Sequence, residues 1–144
     1  MKLTFDEAIK YHRSMWNWIA GEYEKEIAAG KPFLTDIGEM KINFTDMYFT
    51  DEKIKNDCFC CEYASQHIPT YVHPNCATCS DYYFSCPLKW NSYEPYMCEH
   101  QTSPYAFLVK CTGESIRCFV EDMSDVVDAC LTIANLEVNE DARE

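Results

Sequence analysis

Phe5, Ala8, Ile9, His12, Trp16, Ile19, Ala20, Tyr23 and Ile27 recur at three- and four-residue intervals, the spacing of one buried face of a helix. Thr4-Phe5-Asp6-Glu7 fits a capping box, in which the Thr hydroxyl takes the third backbone N–H and the Glu side chain reaches back to the first. Gly30 followed by Pro32 supplies a stop. The pattern predicts one amphipathic helix over residues 5–29, weakened at Gly21.

Residues 31–57 show no sustained period. Phe33, Leu34, Ile37, Met40, Ile42, Phe44, Met47, Tyr48 and Phe49 are spread among Thr, Asp and Lys, so a connector with short pieces of structure is expected. Residues 58–100 hold seven of the ten cysteines and four prolines, a composition too irregular for a long helix or a regular sheet. Residues 105–111 and 116–120 are β-branched or aromatic runs around Thr112-Gly113-Glu114-Ser115, which predicts a short hairpin over 105–120. Ser124 is placed to cap a second helix over 124–137, in which Val126, Val127, Cys130, Ile133 and Ala134 form an apolar stripe. The charged tail, residues 137–144, is expected to fray. There is no internal repeat.

The chain has 144 residues, the size of one ordinary domain. The expected fold class is α+β, mainly helical: N-terminal and C-terminal helices around an irregular zinc-stapled centre at 58–100, with the short hairpin beside it. Apolar residues make up 47% of the chain and aromatic residues 15%, enough to build a core without low-complexity sequence.

Charge narrows the function classes. Twelve basic residues against 24 acidic ones leave −12, which repels phosphate backbones unless the cations gather on one face. Lys89 is the only Lys or Arg between Cys58 and His100, and four thiolates on one zinc would add two more negative charges there. The start of the chain carries Asp6 and Glu7 where a signal peptide needs an apolar stretch, and no apolar run reaches membrane-spanning length. A cytoplasmic location without membrane association is therefore expected, and in a reducing compartment ten cysteines argue for metal ligation over a disulfide framework.

Cys58-Phe59-Cys60-Cys61 contains one Cys-x-x-Cys pair and Cys76-Ala77-Thr78-Cys79 another, fourteen residues apart. Two residues between thiolates let a tight turn aim both sulfurs at one tetrahedral ion, and two such pairs close the shell. Cys86, before Pro87, competes for a place. Cys58 and Cys61 are the first choices as zinc ligands; the other two come from Cys76, Cys79 and Cys86. A second ion on Cys60, Cys86, Cys98 and His100 is the alternative arrangement. His67 and His73 lie between the pairs and could replace a sulfur, although a loop histidine is more often solvated. Cys111, Cys118 and Cys130 fall in apolar patterns and read as buried thiols.

At Trp16-Asn17-Trp18-Ile19-Ala20, Cys58-Phe59-Cys60-Cys61-Glu62-Tyr63-Ala64, Cys86-Pro87-Leu88-Lys89-Trp90 and Cys98, the chain resembles small cysteine-rich proteins of bacteriophages and prophages whose role is unassigned. The resemblance implies an accessory protein with a Trp-rich N-terminal helix, a zinc-binding middle and a C-terminal helix. Those proteins tend to carry a Cys-x-x-Cys pair ending at the Cys-Pro step. Tyr83 takes the first of those positions here, so Cys76 or Cys79 must stand in, and Cys86 becomes a stronger candidate.

Three functions follow from these features. The first is an interaction protein whose carboxylates occupy a basic groove on a host protein, such as a nucleic-acid-binding nuclease of a defence system, in the manner of anti-CRISPR or anti-restriction proteins. The second is a nucleic-acid-binding zinc module using tyrosines as stacking platforms, which the scarcity of cations opposes. The third is a zinc-dependent hydrolase or deaminase-like enzyme, suggested by Cys60-Cys61-Glu62 ahead of Cys76-Ala77-Thr78-Cys79. Asn75 breaks the Pro-Cys step that such enzymes use, and an all-thiolate shell leaves no open position for water. No catalytic residues are assigned. Trp16 fits the core stripe of the first helix; Trp18, two residues on, points elsewhere, capping the zinc module or standing on the surface as a partner anchor.

Overall fold

The computed structural model describes residues 2–49, 58–66, 86–90, 103–113 and 123–143. Five α-helices lie among them: α1 (Phe5–Ala28), α2 (Ile37–Tyr48), α3 (Phe59–Gln66), α4 (Pro104–Cys111) and α5 (Met123–Ala134), followed by a 3-10 turn at Glu140–Ala142. The described fold is mainly helical. Its extended pairing is an isolated antiparallel bridge between Leu88 and Val138.

The capping box of α1 forms as the sequence predicts. The Thr4 hydroxyl accepts the Glu7 N–H at 3.1 Å, and the Glu7 carboxylate accepts the Thr4 N–H at 3.0 Å. At the other end Gly30 adopts a φ of 70°, its N–H bonds to the Ile27 carbonyl, and the Lys31 N–H bonds to that of Glu26. This is the paired-bond helix stop that favours glycine, because a Cβ in the left-handed region clashes with the backbone. The inner face of α1, from Phe5 through Ile9, Met15, Trp16 and Ile19 to Tyr23, is buried. It lies along α5 and also meets α3 and α2, while α4 packs on α5 and touches α2.

α2 replaces the expected connector. Asp36 caps it, one carboxylate oxygen accepting the N–H groups of Gly38 and Glu39 at 3.0 and 3.3 Å, and Ile37, Met40, Lys41 and Phe44 form its buried face. The exposed Ile42, Met47 and Tyr48 interrupt that period in the sequence. Tyr23 and Glu26 fix the approach to α2: the Tyr23 hydroxyl donates to the Thr35 carbonyl at 2.7 Å, and the Glu26 carboxylate accepts the Thr35 N–H and hydroxyl at 2.8 and 2.7 Å.

The expected hairpin over 105–120 is corrected in its first arm. Residues 105–111 lie within the helix α4, which Ser103 caps through the Ala106 N–H at 3.1 Å and Pro104 starts. A Ser-Pro start outweighs one β-branched residue, Val109, in a run of otherwise good helix packers. The second arm lies outside the described residues. At the end of α4, Thr112 accepts the Ile37 N–H at 2.9 Å and the Gly113 N–H reaches the Leu34 carbonyl at 2.8 Å, tying α4 to the entry of α2.

Among the described residues α5 runs from Met123, with Ser124 in its first turn. The tail does not fray over residues 137–143. The Lys89 N–H bonds to the Glu137 carbonyl and the Asn139 N–H to that of Pro87, the Tyr63 hydroxyl donates to the Ala142 carbonyl at 3.0 Å, and the Arg143 guanidinium stacks over Phe5. His12, fully buried in α1, lies within 2.9 Å of the Ile133 carbonyl through Nε2. Because a carbonyl only accepts, Nε2 must carry the proton and donate.

Candidate metal centre

An aromatic cluster at the meeting of α1, α2 and α3 sets the first cysteine group. Phe59 is fully buried, with ring centroids 5.5 Å from Tyr11, 5.3 Å from Phe49 and 6.3 Å from Phe44. With Phe59 anchored, Cys60 is driven inward and is also fully buried, while Cys58 and Cys61 stay half-buried. Cys58 acts as the cap of α3. Its carbonyl accepts the Glu62 N–H at 2.9 Å, and its sulfur accepts the Cys61 N–H at 3.3 Å, so sulfur takes the place of the usual capping oxygen.

Cys86 arrives from a different part of the chain. Residues 86–90 are held by the bridge to Val138 and by the Asn139 side chain, which donates to the Cys86 carbonyl at 3.0 Å. Leu88 and Trp90 are buried, with Trp90 edge-on to His12 at 6.3 Å. These anchors bring the Cys86 sulfur into hydrogen-bond reach of Cys60.

The four thiols therefore interact electrostatically. The hydrogen bond from Cys60 lowers the Cys86 thiol, helped by the Leu88 backbone and the Trp90 side chain and opposed by burial. Cys60 is pushed well up because it donates to Cys86, and burial adds to this. Cys58 is also pushed well up, first by its hydrogen bond with Cys61, then by burial and by the charges of Cys61 and Cys86, against the Lys41 ammonium. Lys41 is buried in α2, with Nζ 4.7 Å from the centroid of Tyr105. The site thus brings sulfur donors from two stretches of chain together, with Cys60 and Cys86 in hydrogen-bond contact. Thiolate sulfur is the donor that structural zinc prefers.

Of the expected ligands, Cys58, Cys61 and Cys86 are brought into one neighbourhood. Cys76 and Cys79 lie outside the described residues, as do His67, His73, Cys98, His100 and Cys118. Among the described residues, no group of three or more His, Cys, Asp or Glu side chains stands in an arrangement that could hold a metal ion. Cys58, Cys60, Cys61, Cys86 and Cys130 are not disulfide-bonded. Cys130, in the apolar stripe of α5, is pushed up to about 12 by burial. Cys111 departs from its expected state as a buried thiol: it is disulfide-bonded. Sequence spacing gave Cys60 a lesser place than its neighbours, although its position beside Phe59 marks it as inward-facing. Trp90 and Lys41 carried no local signal of their roles.

No family model matches the chain, and no curated protein or solved structure matches it. Among the described residues, no helix is long and apolar enough to cross a membrane.

Proposed function

We propose that the chain is an acidic zinc-binding accessory protein of bacteriophage type that acts by binding a host protein, one with a basic nucleic-acid groove such as a defence nuclease. The observation that carries the zinc reading is the meeting of cysteines outside any disulfide from two separate stretches, Cys58, Cys60 and Cys61 at the start of α3 and Cys86 beside Trp90. Cys58, Cys61 and Cys86 would supply sulfur, with Cys60 or one of Cys76 and Cys79 completing a four-coordinate shell. A filled thiolate shell is structural, so the ion's role is to order residues 58–100 and present them.

The partner reading rests on charge. With −12 on 144 residues, the surface is suited to fast, salt-dependent association with a cationic protein. The test uses purified components: the protein is titrated against a basic DNA nuclease in the presence of its duplex substrate. Competitive inhibition that weakens as salt rises supports the proposal. Direct binding of the duplex by this chain would replace it with a nucleic-acid-binding role.

A further inference from the structure

On the face of α1 away from the thiols, a cleft of about 540 Å³ opens between that helix and residues 138–143. This lies within the range of small-molecule sites, roughly 300–1,000 Å³. Lys10, Arg13 and Arg143 line it, a quarter of the twelve basic residues of a chain with a formal charge of −12.

Asp6 and Glu140 also line the cleft and share Arg143, which leaves its charged side chains with a net charge of +1. Arg143 Nε meets one Glu140 oxygen at 2.8 Å, and another guanidinium nitrogen meets Asp6 at 3.1 Å. Glu7 is bound to Thr4 in the capping box and also interacts with the Lys10 ammonium. Lys10 and Arg13, three apart on one exposed stripe of α1, take no part in an ion pair among the described residues. Arg13 spends one nitrogen on a long contact with the Leu136 carbonyl, 3.4 Å. Ser14 adds an exposed hydroxyl beside them, and Ile9 and Val138 give the cleft an apolar wall.

We infer that this cleft binds a small phosphomonoester, its phosphate held by Lys10, Arg13 and the Ser14 hydroxyl and its organic body laid against Ile9 and Val138. A phosphomonoester carries close to two negative charges at neutral pH, which Lys10 and Arg13 face from one stripe of α1, and a guanidinium can engage two of its oxygens at once. Among the described residues, no cysteine lines the site.

The test is an NMR titration of the full chain with AMP, with ribose 5-phosphate as the probe lacking a base and adenosine as the probe lacking the phosphate. AMP and ribose 5-phosphate are expected to shift the amide signals of residues 10–17 and 138–143, and adenosine is not. The exposed double variant Lys10→Ala/Arg13→Ala should weaken AMP binding at least about tenfold while melting as the parent does. Absence of any shift at up to about 10 mM AMP, equal shifts with adenosine, or unchanged affinity in the double variant would overturn the inference.

Discussion

His12 is a fully buried imidazole whose surroundings favour the neutral form. Burial is the main cause of its depressed pKa, about 4 against an ordinary 6.5, and the hydrogen bond to Ile133 only partly offsets it. Above pH 6.5 both folded and unfolded chains hold a neutral ring, and the full stability is present. As pH falls from 6.5 toward 4 the unfolded chain takes up the proton first, so stability is lost across that window, by about 3 kcal/mol in all. Urea unfolding at pH 7 and pH 4.5 should show this loss in the parent and a markedly smaller one in His12→Gln; equal slopes would exclude His12 as the source. Gly30 tests a second local claim. With φ at 70°, Gly30→Ala should destabilise by about 1 kcal/mol, read as a lower urea midpoint with unchanged slope.

Helix ends explain where sequence was readable and where it was not. The first helix was legible because a capping box, a long apolar stripe and a glycine stop agree, and α1 ends one residue short of the expected boundary. α2 has an equally good cap in Asp36, but Ile42, Met47 and Tyr48 put apolar side chains on its exposed side and blurred the period. α4 was misread because aromatic content in residues 105–111 outweighed the Ser103-Pro104 start. Trp18 was correctly separated from Trp16: it is half-buried, 5.7 Å from Phe44, while Trp16 is almost fully enclosed. Asp36→Ala should cost about 1 kcal/mol, because its carboxylate serves two N–H groups that then lack a protein partner. Asp36→Asn should restore most of that in the same unfolding experiment.

At the scale of the molecule, α1 is the axis on which two sites sit apart. Its inner face meets the aromatic cluster that aims Cys60 toward Cys86, and its outer stripe lines the cleft with Arg143. The first Cys-x-x-Cys stood out by its spacing, and Cys86 by its place before Pro87 and by the resemblance. Their meeting was not legible, since it depends on the Leu88–Val138 bridge and on Trp90 docking beside His12, contacts across long stretches of sequence. If a metal orders the centre, its binding free energy is part of the folding free energy. Cys58→Ser should then unfold α3 and residues 86–90 while leaving the α1–α5 pair helical, seen as lost hydrogen-exchange protection confined to those segments.

Metal content of the purified chain, measured by elemental analysis alongside Cys61→Ser and Cys86→Ser, bears most directly on the sulfur-bound centre. Zinc is expected to be bound stoichiometrically to the parent, and both zinc and native melting are expected to be lost in each variant. A parent that is metal-free yet equally well folded, or a Cys61→Ser protein that keeps its full zinc and its melting temperature, would contradict this expectation.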